Sequence, residues 1–160
     1  MSNPAPPQIF DRSLINRRLD RAWARPPGHA QPDFLLARAA EDLRDRLSLV
    51  KRRFALAADF GSPGPHGAVA LASGGQVDCI IRVAPTGASL GNGDFLPAVG
   101  DLERLAVADG RLDLAVSLIA LQTVNDLPGA LVQMRRALKG DGLLIAALIG
   151  GDTLTELRRD

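Results

Sequence analysis

The chain has 160 residues, of which 46% are apolar and 23% charged, a composition typical of one globular domain with a hydrophobic core. Its formal net charge of +1 gives no general attraction to nucleic acid or to an anionic membrane. One cysteine and two histidines provide neither an internal disulfide nor a recognisable metal-ligand pattern, so we expect no metal site. There is no apolar run of membrane-spanning length and no signal pattern at the start, so we expect a cytoplasmic location, and the richness in alanine, arginine and leucine fits a bacterial origin.

The first fifty residues predict a disordered tail followed by a helical prefix. Residues 1–8 are rich in proline and are expected to lack regular structure. Apolar residues then recur at helical spacing over residues 9–23 and 33–50, and Asp33 is expected to cap the second helix. Trp23 is expected to anchor the first helix rather than to cover a ligand. The predicted organisation is therefore a tail over 1–8, a prefix over 9–50 and a sheet domain over 51–160.

Apolar runs of strand length alternate with helical patterns over the rest of the chain. The predicted strands are 54–59, 77–83, 95–100, 112–119 and 143–149, and Cys79 in the second is expected to be a buried thiol. The predicted helices are 68–72, one that follows Asp126 and stops at residues 140–142, and one that begins near residue 150. This alternation predicts an α/β fold: a Rossmann-like open, mostly parallel sheet with flanking helices.

A glycine-rich turn follows the first predicted strand. Residues 59–67 read Asp-Phe-Gly-Ser-Pro-Gly-Pro-His-Gly, and the next helical pattern begins directly after them. Such a turn lets the backbone approach a nucleotide-like ligand, to which the helix N-terminus offers free N–H groups. The same composition also suits a plain tight turn. A nicotinamide site is disfavoured, because the spacing departs from Gly-x-Gly-x-x-Gly and the second strand ends without a carboxylate.

The order of the later motifs resembles that of class I S-adenosylmethionine-dependent methyltransferases. The segments that carry this resemblance are residues 100–105, 108–117, 121–128 and 137–144. Phe10-Asp11-Arg12, together with residues 121–131 and 147–157, is similar to one subgroup. That subgroup contains the biotin-synthesis malonyl-carrier methyltransferase and, closer in pattern, the mitochondrial complex I assembly factor, an arginine hydroxylase. The resemblance covers most of the chain from residue 10 onward.

The resemblance implies S-adenosylmethionine as the cofactor and assigns residues to its site. Asp59, the acidic residue that ends the first strand, would lie near the methionine amino group, and Asp101 would contact the adenine. The matching cofactor positions are Asp59, Gly61, Ser62, Gly64, Asp101, Leu102, Ser117 and Leu118. Gln122 and Asn125 lie where this fold contacts its acceptor substrate, although helix capping explains Asn125-Asp126 equally well. No catalytic side chain is assigned, because methyl transfer depends mainly on orientation of the reactants.

Three departures from the family pattern leave two functions open. Pro63 interrupts the glycine motif, the carboxylate expected after the second strand is missing, and the two strands that usually follow the fifth are absent. One interpretation is a methyltransferase-like enzyme that methylates an acceptor or modifies a protein arginine, such as one in a respiratory complex I subunit. The alternative is a catalytically degenerate domain that binds a protein partner or assists assembly. The fold would be truncated after its fifth strand, so we expect a fragment, a truncated gene product, or a chain whose exposed fifth strand is covered by a second copy or a partner chain.

Overall fold

The computed structural model describes residues 8–24 and 33–150 of the chain. The strands are β1 (Phe54–Phe60), β2 (Val77–Ala84), β3 (Leu96–Val99), β4 (Leu112–Leu118) and β5 (Leu138–Ala147). The helices are α1 (Arg12–Trp23), α2 (Phe34–Ser48), α3 (His66–Ser73) and α4 (Leu127–Ala137). All strand pairs are parallel and the order is β3-β2-β1-β4-β5, so the predicted open α/β sheet is confirmed.

Helices cover both faces of the sheet because each presents an apolar stripe to it. In α2 the buried residues recur at three- and four-residue spacing, and they pack with α3 on one face of the sheet. The buried residues of α4, which are Ala130, Met134 and Ala137, belong to the cluster on the opposite face. All seven residues of β4 are buried, as expected for a central parallel strand covered on both sides.

The strand order reverses between β1 and β4, and this reversal fixes the place of a ligand site. From β1 the chain proceeds outward to β2 and β3, and then returns to the other side of β1 as β4. In open α/β sheets, a crevice forms at such a switch point, beyond the carboxyl ends of the strands. Here the carboxyl ends of β1 and β4 lead into the glycine turn and into a short 3-10 turn, Leu121–Thr123.

Several predicted boundaries differ from the observed ones for local physical reasons. Helix α1 begins at Arg12 rather than at residue 9, because the Asp11 carboxylate accepts a hydrogen bond from the Leu14 N–H and so caps the helix there. Asp33 precedes α2 but makes no side-chain cap; its carboxylate lies 2.9 Å from His66 Nε2 instead. Cys79 is only half-buried; it lies in the first half of β2, which is less buried than the second half.

The prediction that the helix after Asp126 extends to the glycines at 140–142 was wrong. Helix α4 ends at Ala137, and β5 begins at the next residue and passes through both glycines. The strand can start this early because Leu138 already pairs with Leu112 of β4, and an irregularity in the register accommodates the extra residues. At its other end β5 stops at Ala147, two residues before the predicted end.

Strand β5 forms one edge of the sheet in the part of the chain that the structure describes. Leu148 and Ile149, which follow it, are 46% and 39% exposed. A partner on this edge stays a prediction, as do the tail over 1–8, the domain boundaries and the helix predicted near residue 150, most of which lies outside the described residues. None of the described helices combines the length and the apolar character that crossing a membrane requires.

Candidate functional site

The glycine turn leaves β1 in a left-handed backbone conformation. Gly61 has a φ of 69°, and a Cβ at this position would lie 2.6 Å from Leu102 Cδ1, so only glycine fits. The Gly61 N–H donates to the Val83 carbonyl at 2.7 Å and thereby ties the turn to the end of β2. Leu102, one of the predicted cofactor residues, is buried against this turn. The structure therefore brings the first-strand motif and the predicted adenine loop into contact.

Asp59 has no exposed surface and is surrounded by hydrogen-bond donors. Its carboxylate accepts from the Ser62 hydroxyl, from the Ala68 N–H at 3.1 Å and from Arg82 Nη1 at 2.6 Å. Gly67 is needed beside it, because a Cβ there would lie 2.9 Å from the carboxylate carbon. Burial raises the pKa of Asp59, whereas Arg82 and the other donors act in the opposite direction.

Arg82 is the partner of Asp59 that sequence reasoning missed. It lies near the end of β2, has no exposed surface, and also donates to the carbonyls of Ser62, Ser89 and Leu90 at 2.7–2.9 Å. Burial lowers the pKa of Arg82, and the Asp59 carboxylate opposes this shift. An arginine inside the apolar carboxyl half of β2 was the available signal, because such a residue must find a buried counter-ion. The Asp59 carboxylate is therefore already neutralised within the chain.

Asp101, the second predicted cofactor carboxylate, is also paired with an arginine. Its Oδ1 lies 3.2 Å from Arg12 Nη2 and accepts from the Glu103 N–H at 3.0 Å. The Arg12 guanidinium also donates to the Thr123 carbonyl at 3.2 Å. The Asp101 side chain is 50% exposed, so this ion pair is a weak one that a ligand could replace.

Three further predicted cofactor residues hold the ends of β1 and β4 together. The Ser62 hydroxyl accepts from the Leu118 N–H at 3.0 Å, and the Ser117 hydroxyl donates to the Phe60 carbonyl at 2.8 Å. All four residues are buried. In this structure, Ser62, Ser117 and Leu118 fix the shape of the crevice through contacts within the protein.

Of the two predicted acceptor residues, Asn125 holds the segment that leads into α1. Asn125 Oδ1 accepts from the N–H groups of Ile9 and Phe10, both at 2.7 Å, and its Nδ2 donates to the Phe10 carbonyl at 3.2 Å. Gln122 Oε1 is buried and has no hydrogen-bond partner among the described residues. Asp126 caps α4 through the Gly129 N–H at 2.9 Å, so the capping alternative holds for this residue.

The other end of α1 packs directly on the glycine turn. A Cβ at Gly64 would lie 2.3 Å from Trp23 Cζ2, so the indole occupies the space that a side chain would need. The Trp23 and His66 rings are 6.4 Å apart, and Trp23 also packs against the main hydrophobic core. Trp23 therefore anchors α1 as expected, with the result that the helix lies over the carboxyl edge of the sheet.

A small cavity of about 90 Å³ lies between α1 and this edge. The glycine turn, the adenine loop, the end of β4 and one face of α1 enclose it, and its lining includes Arg12, Asn16, Gly61, Leu102 and Ile119. Arg12 Nε and Asn16 Oδ1 are buried and have no partner among the described residues. Whole small-molecule ligands usually occupy about 300–1,000 Å³. A larger cavity, of about 620 Å³, lies between α2 and α3 and reaches the amino end of β2, away from this site.

Comparison with known proteins shows which proteins this chain resembles in sequence and fold. Residues 83–146 match the family model described as "Methyltransferase domain". The arginine-hydroxylase NDUFAF5 of Danio rerio, a mitochondrial protein, is 36% identical over 156 residues, which are 94% of this chain and 48% of that protein. The malonyl-[acyl-carrier protein] O-methyltransferase of Laribacter hongkongensis is 30% identical over 165 residues, covering 93% of this chain and 54% of the relative. The chain thus spans about half the length of the curated relatives it matches.

The chain resembles class I S-adenosylmethionine-dependent methyltransferases in sequence and shares their fold. Its resemblance to the subgroup of the arginine hydroxylase and the malonyl-carrier methyltransferase is confirmed. The fold agrees with a solved structure, the N-methyltransferase NodS from Bradyrhizobium japonicum in complex with S-adenosyl-L-homocysteine. The two superpose with a TM-score of 0.65 at 18% identity, over 81% of this chain and 70% of NodS.

The residues of this methyltransferase fold suit an adenosyl cofactor in part. The left-handed Gly61 and the adjoining Leu102 leave the backbone of the turn close to the cavity, and the unpartnered atoms of Arg12 and Asn16 belong to residues that line it. Asp59 does not suit the role that the resemblance implies, because Arg82 already neutralises its charge. The end of β2 presents no carboxylate for the ribose hydroxyls.

Proposed function

We propose that this methyltransferase-fold chain binds S-adenosylmethionine at the carboxyl ends of β1 and β4 and acts on a protein acceptor. The observation that carries this proposal is the cavity, because the glycine turn, Leu102, the end of β4 and α1 all border it. A protein arginine is the favoured acceptor group, since relatives that cover almost the whole chain are arginine hydroxylases.

The residues of the chain would contribute position rather than acid–base chemistry. Bound S-adenosylmethionine would supply a methyl group on a positively charged sulfur, which needs an aligned acceptor more than a catalytic base. Gly61 would allow close approach of the backbone, and Leu102 would give an apolar contact. Gln122, whose side-chain oxygen is buried and unpartnered among the described residues, is the best candidate to contact the acceptor.

Isothermal titration of the protein with S-adenosylmethionine, S-adenosylhomocysteine and NAD tests the cofactor assignment. We expect micromolar binding of the first two ligands and none of NAD, because the glycine spacing and the end of β2 do not suit a dinucleotide. A folded protein that binds neither adenosyl ligand would contradict the proposal.

Mass spectrometry of an arginine-containing acceptor peptide tests the reaction. The peptide is incubated under air with the protein, S-adenosylmethionine and a reductant such as ascorbate. A mass increase equal to a methylene group would indicate methylation, and one equal to an oxygen atom, taken from dioxygen with the second atom leaving as water, would indicate hydroxylation. The same peptide with lysine in place of arginine is the control. Modification of both peptides to the same extent would argue against an arginine site.

A second candidate function is that of a degenerate domain that binds a partner protein. The buried Asp59–Arg82 pair favours it, because no free carboxylate remains there for a cationic cofactor. The cavity of about 90 Å³ favours it as well, because sites for whole small molecules usually measure about 300–1,000 Å³. Absence of adenosyl-ligand binding would support this alternative. Pairing through the β5 edge, in a homodimer or with another chain, is a related proposal that analytical ultracentrifugation can test. A cytoplasmic location in a bacterium stays a prediction.

A further inference from the structure

One face of α1 carries two buried polar atoms of opposite hydrogen-bonding character. Arg12 and Asn16 are four residues apart, so their side chains lie next to each other on the helix surface. Arg12 Nε–H is a donor and Asn16 Oδ1 is an acceptor, and neither has a partner among the described residues. A buried polar atom without a hydrogen-bond partner is unfavourable, so a ligand that satisfies both atoms would be favoured.

Both residues also line the cavity above the glycine turn. Its volume of about 90 Å³ is below that of a site for a whole small molecule, but it leaves room for a small polar group such as a carboxylate with a neighbouring ammonium group. Asp20 lies one further turn along α1, and its Oδ1 is likewise buried without a partner in the described part of the chain. This face of the helix therefore offers the Nε–H of Arg12 near its start, although Arg12 Nη2 also pairs with the half-exposed Asp101, and oxygen acceptors beyond it.

The usual anchor for an ammonium group is not available here. The Asp59 carboxylate is paired with Arg82 at 2.6 Å, and both side chains are fully buried. A ligand ammonium could reach Asp59 only by displacing a guanidinium that makes four hydrogen bonds of 2.6–2.9 Å. The amino-acid end of a ligand at this edge must therefore find other partners.

We infer that Arg12 and Asn16 of α1 bind the amino-acid end of the adenosyl cofactor in place of Asp59. Arg12 Nε–H donates to the ligand carboxylate, and the ligand ammonium donates to Asn16 Oδ1. This inference rests on the proposed function, because it assumes that an adenosyl amino acid binds at this edge. It makes α1 a part of the ligand site and assigns Asp59 and Arg82 to the support of the turn.

Calorimetry with two ligands tests the inference on the whole chain. S-adenosylhomocysteine carries the amino-acid end, and 5′-methylthioadenosine keeps the adenosine and the thioether but lacks that end. We expect the wild-type protein to bind the first ligand at least tenfold more tightly. We expect Arg12→Met and Asn16→Leu each to remove most of this preference while binding of 5′-methylthioadenosine changes less than threefold.

Arg18→Met is the matched control, because it removes an exposed arginine from the same helix. It should leave both affinities unchanged, and thermal unfolding should confirm that every variant is folded. Equal wild-type affinities for the two ligands, or equal weakening of both by Arg12→Met, would overturn the inference while leaving the proposed function in place. Failure of the wild-type protein to bind S-adenosylhomocysteine would overturn the proposed function and the inference together.

Discussion

At the scale of single residues, the ion pair of Asp59 and Arg82 distinguishes this site. Two opposite charges are held without exposed surface, and hydrogen bonds satisfy both of them. A buried pair of this kind adds little net stability, but removal of one partner leaves an uncompensated charge in the interior. The pair therefore works as a fixed support between β1 and β2, and its loss should be felt in folding before it is felt in binding.

Replacement of Arg82 by methionine tests this view. We expect Arg82→Met to lower the free energy of unfolding by about 3–5 kcal/mol, because Asp59 is left charged and buried. The double variant Asp59→Asn/Arg82→Met should recover at least half of the loss. Urea denaturation followed by circular dichroism measures both. A single variant within about 1 kcal/mol of the wild type, on the scale of an exposed ion pair, would show that the pair is not a structural support.

Asp113, near the amino end of the central strand β4, gives a prediction of pH dependence. Its carboxylate accepts from Lys139 Nζ at 2.8 Å and from the Leu56 N–H at 3.0 Å, and Arg52 lies 3.5 Å away. The hydrogen bond from Lys139 is the largest cause that holds the pKa of Asp113 below its ordinary value of 3.8. A carboxyl group whose pKa is lowered by folding stabilises the protein above its ordinary pKa. That contribution is lost as the pH falls through the folded-state pKa.

We therefore expect Asp113→Asn to cost about 1 kcal/mol of stability at pH 7, a value moderated by the partial exposure of Lys139. The difference between wild type and variant should shrink steadily below about pH 4, where the wild-type carboxylate becomes protonated. Urea unfolding at a series of pH values measures it. Asp109→Asn, which alters an exposed ion pair with Arg136, is the control and should show little difference at any pH. A constant difference for Asp113→Asn down to pH 2 would contradict the assigned cause.

At the scale of elements, α1 is the part that turns a sheet edge into an enclosed site. Asn125 holds the segment before the helix, Arg12 joins its first turn to Asp101, and Trp23 packs its end on Gly64. No residue of α1 is fully buried, so these few contacts hold the helix in place. An element with so few buried contacts can open locally more easily than the core, as the entry of a ligand larger than the cavity requires.

Substitution of Gly64 by alanine should loosen this end of α1. The new Cβ would overlap the Trp23 indole, which must move away from the turn. Trp23 is the single tryptophan of the chain, so its fluorescence reports on the helix directly. We expect a red shift of the emission and faster proteolysis at the N-terminus in Gly64→Ala. The control is Gly87→Ala, where a Cβ would meet no atom within 4 Å. Unchanged Trp23 emission in Gly64→Ala would mean that the indole does not hold α1 on the turn.

At the scale of the whole molecule, the hydrophobic pattern was enough to predict the fold. Buried strands and amphipathic helices have distinct periods, so all five strands and the prefix helices could be located from the sequence. The start of α1 depended on the local cap at Asp11, whereas the start of β5 depended on a contact between distant residues. Strand β5 starts at Leu138 because Leu112 pairs with it, and no local pattern around Gly140 shows this.

The site was less predictable than the fold, because its composition depends on which side chains meet across the sheet. The glycine motif located Gly61, and the resemblance located Leu102 beside it. The pairing of Asp59 with Arg82 joins positions 23 residues apart, and that of Asp101 with Arg12 joins positions 89 residues apart. The sequence pattern assigned both carboxylates to a ligand, because it does not show which arginine of the same chain pairs with each of them.

The central claim is that an adenosyl amino acid binds between α1 and the carboxyl ends of β1 and β4. A crystal structure of the protein grown with S-adenosylhomocysteine tests it most directly. We predict ligand density beside Gly61 and Leu102, with the amino-acid end at Arg12 and Asn16 and with the Asp59–Arg82 pair intact. Density that shows the ligand ammonium on Asp59 with Arg82 displaced, or a ligand bound elsewhere in the fold, would contradict the account.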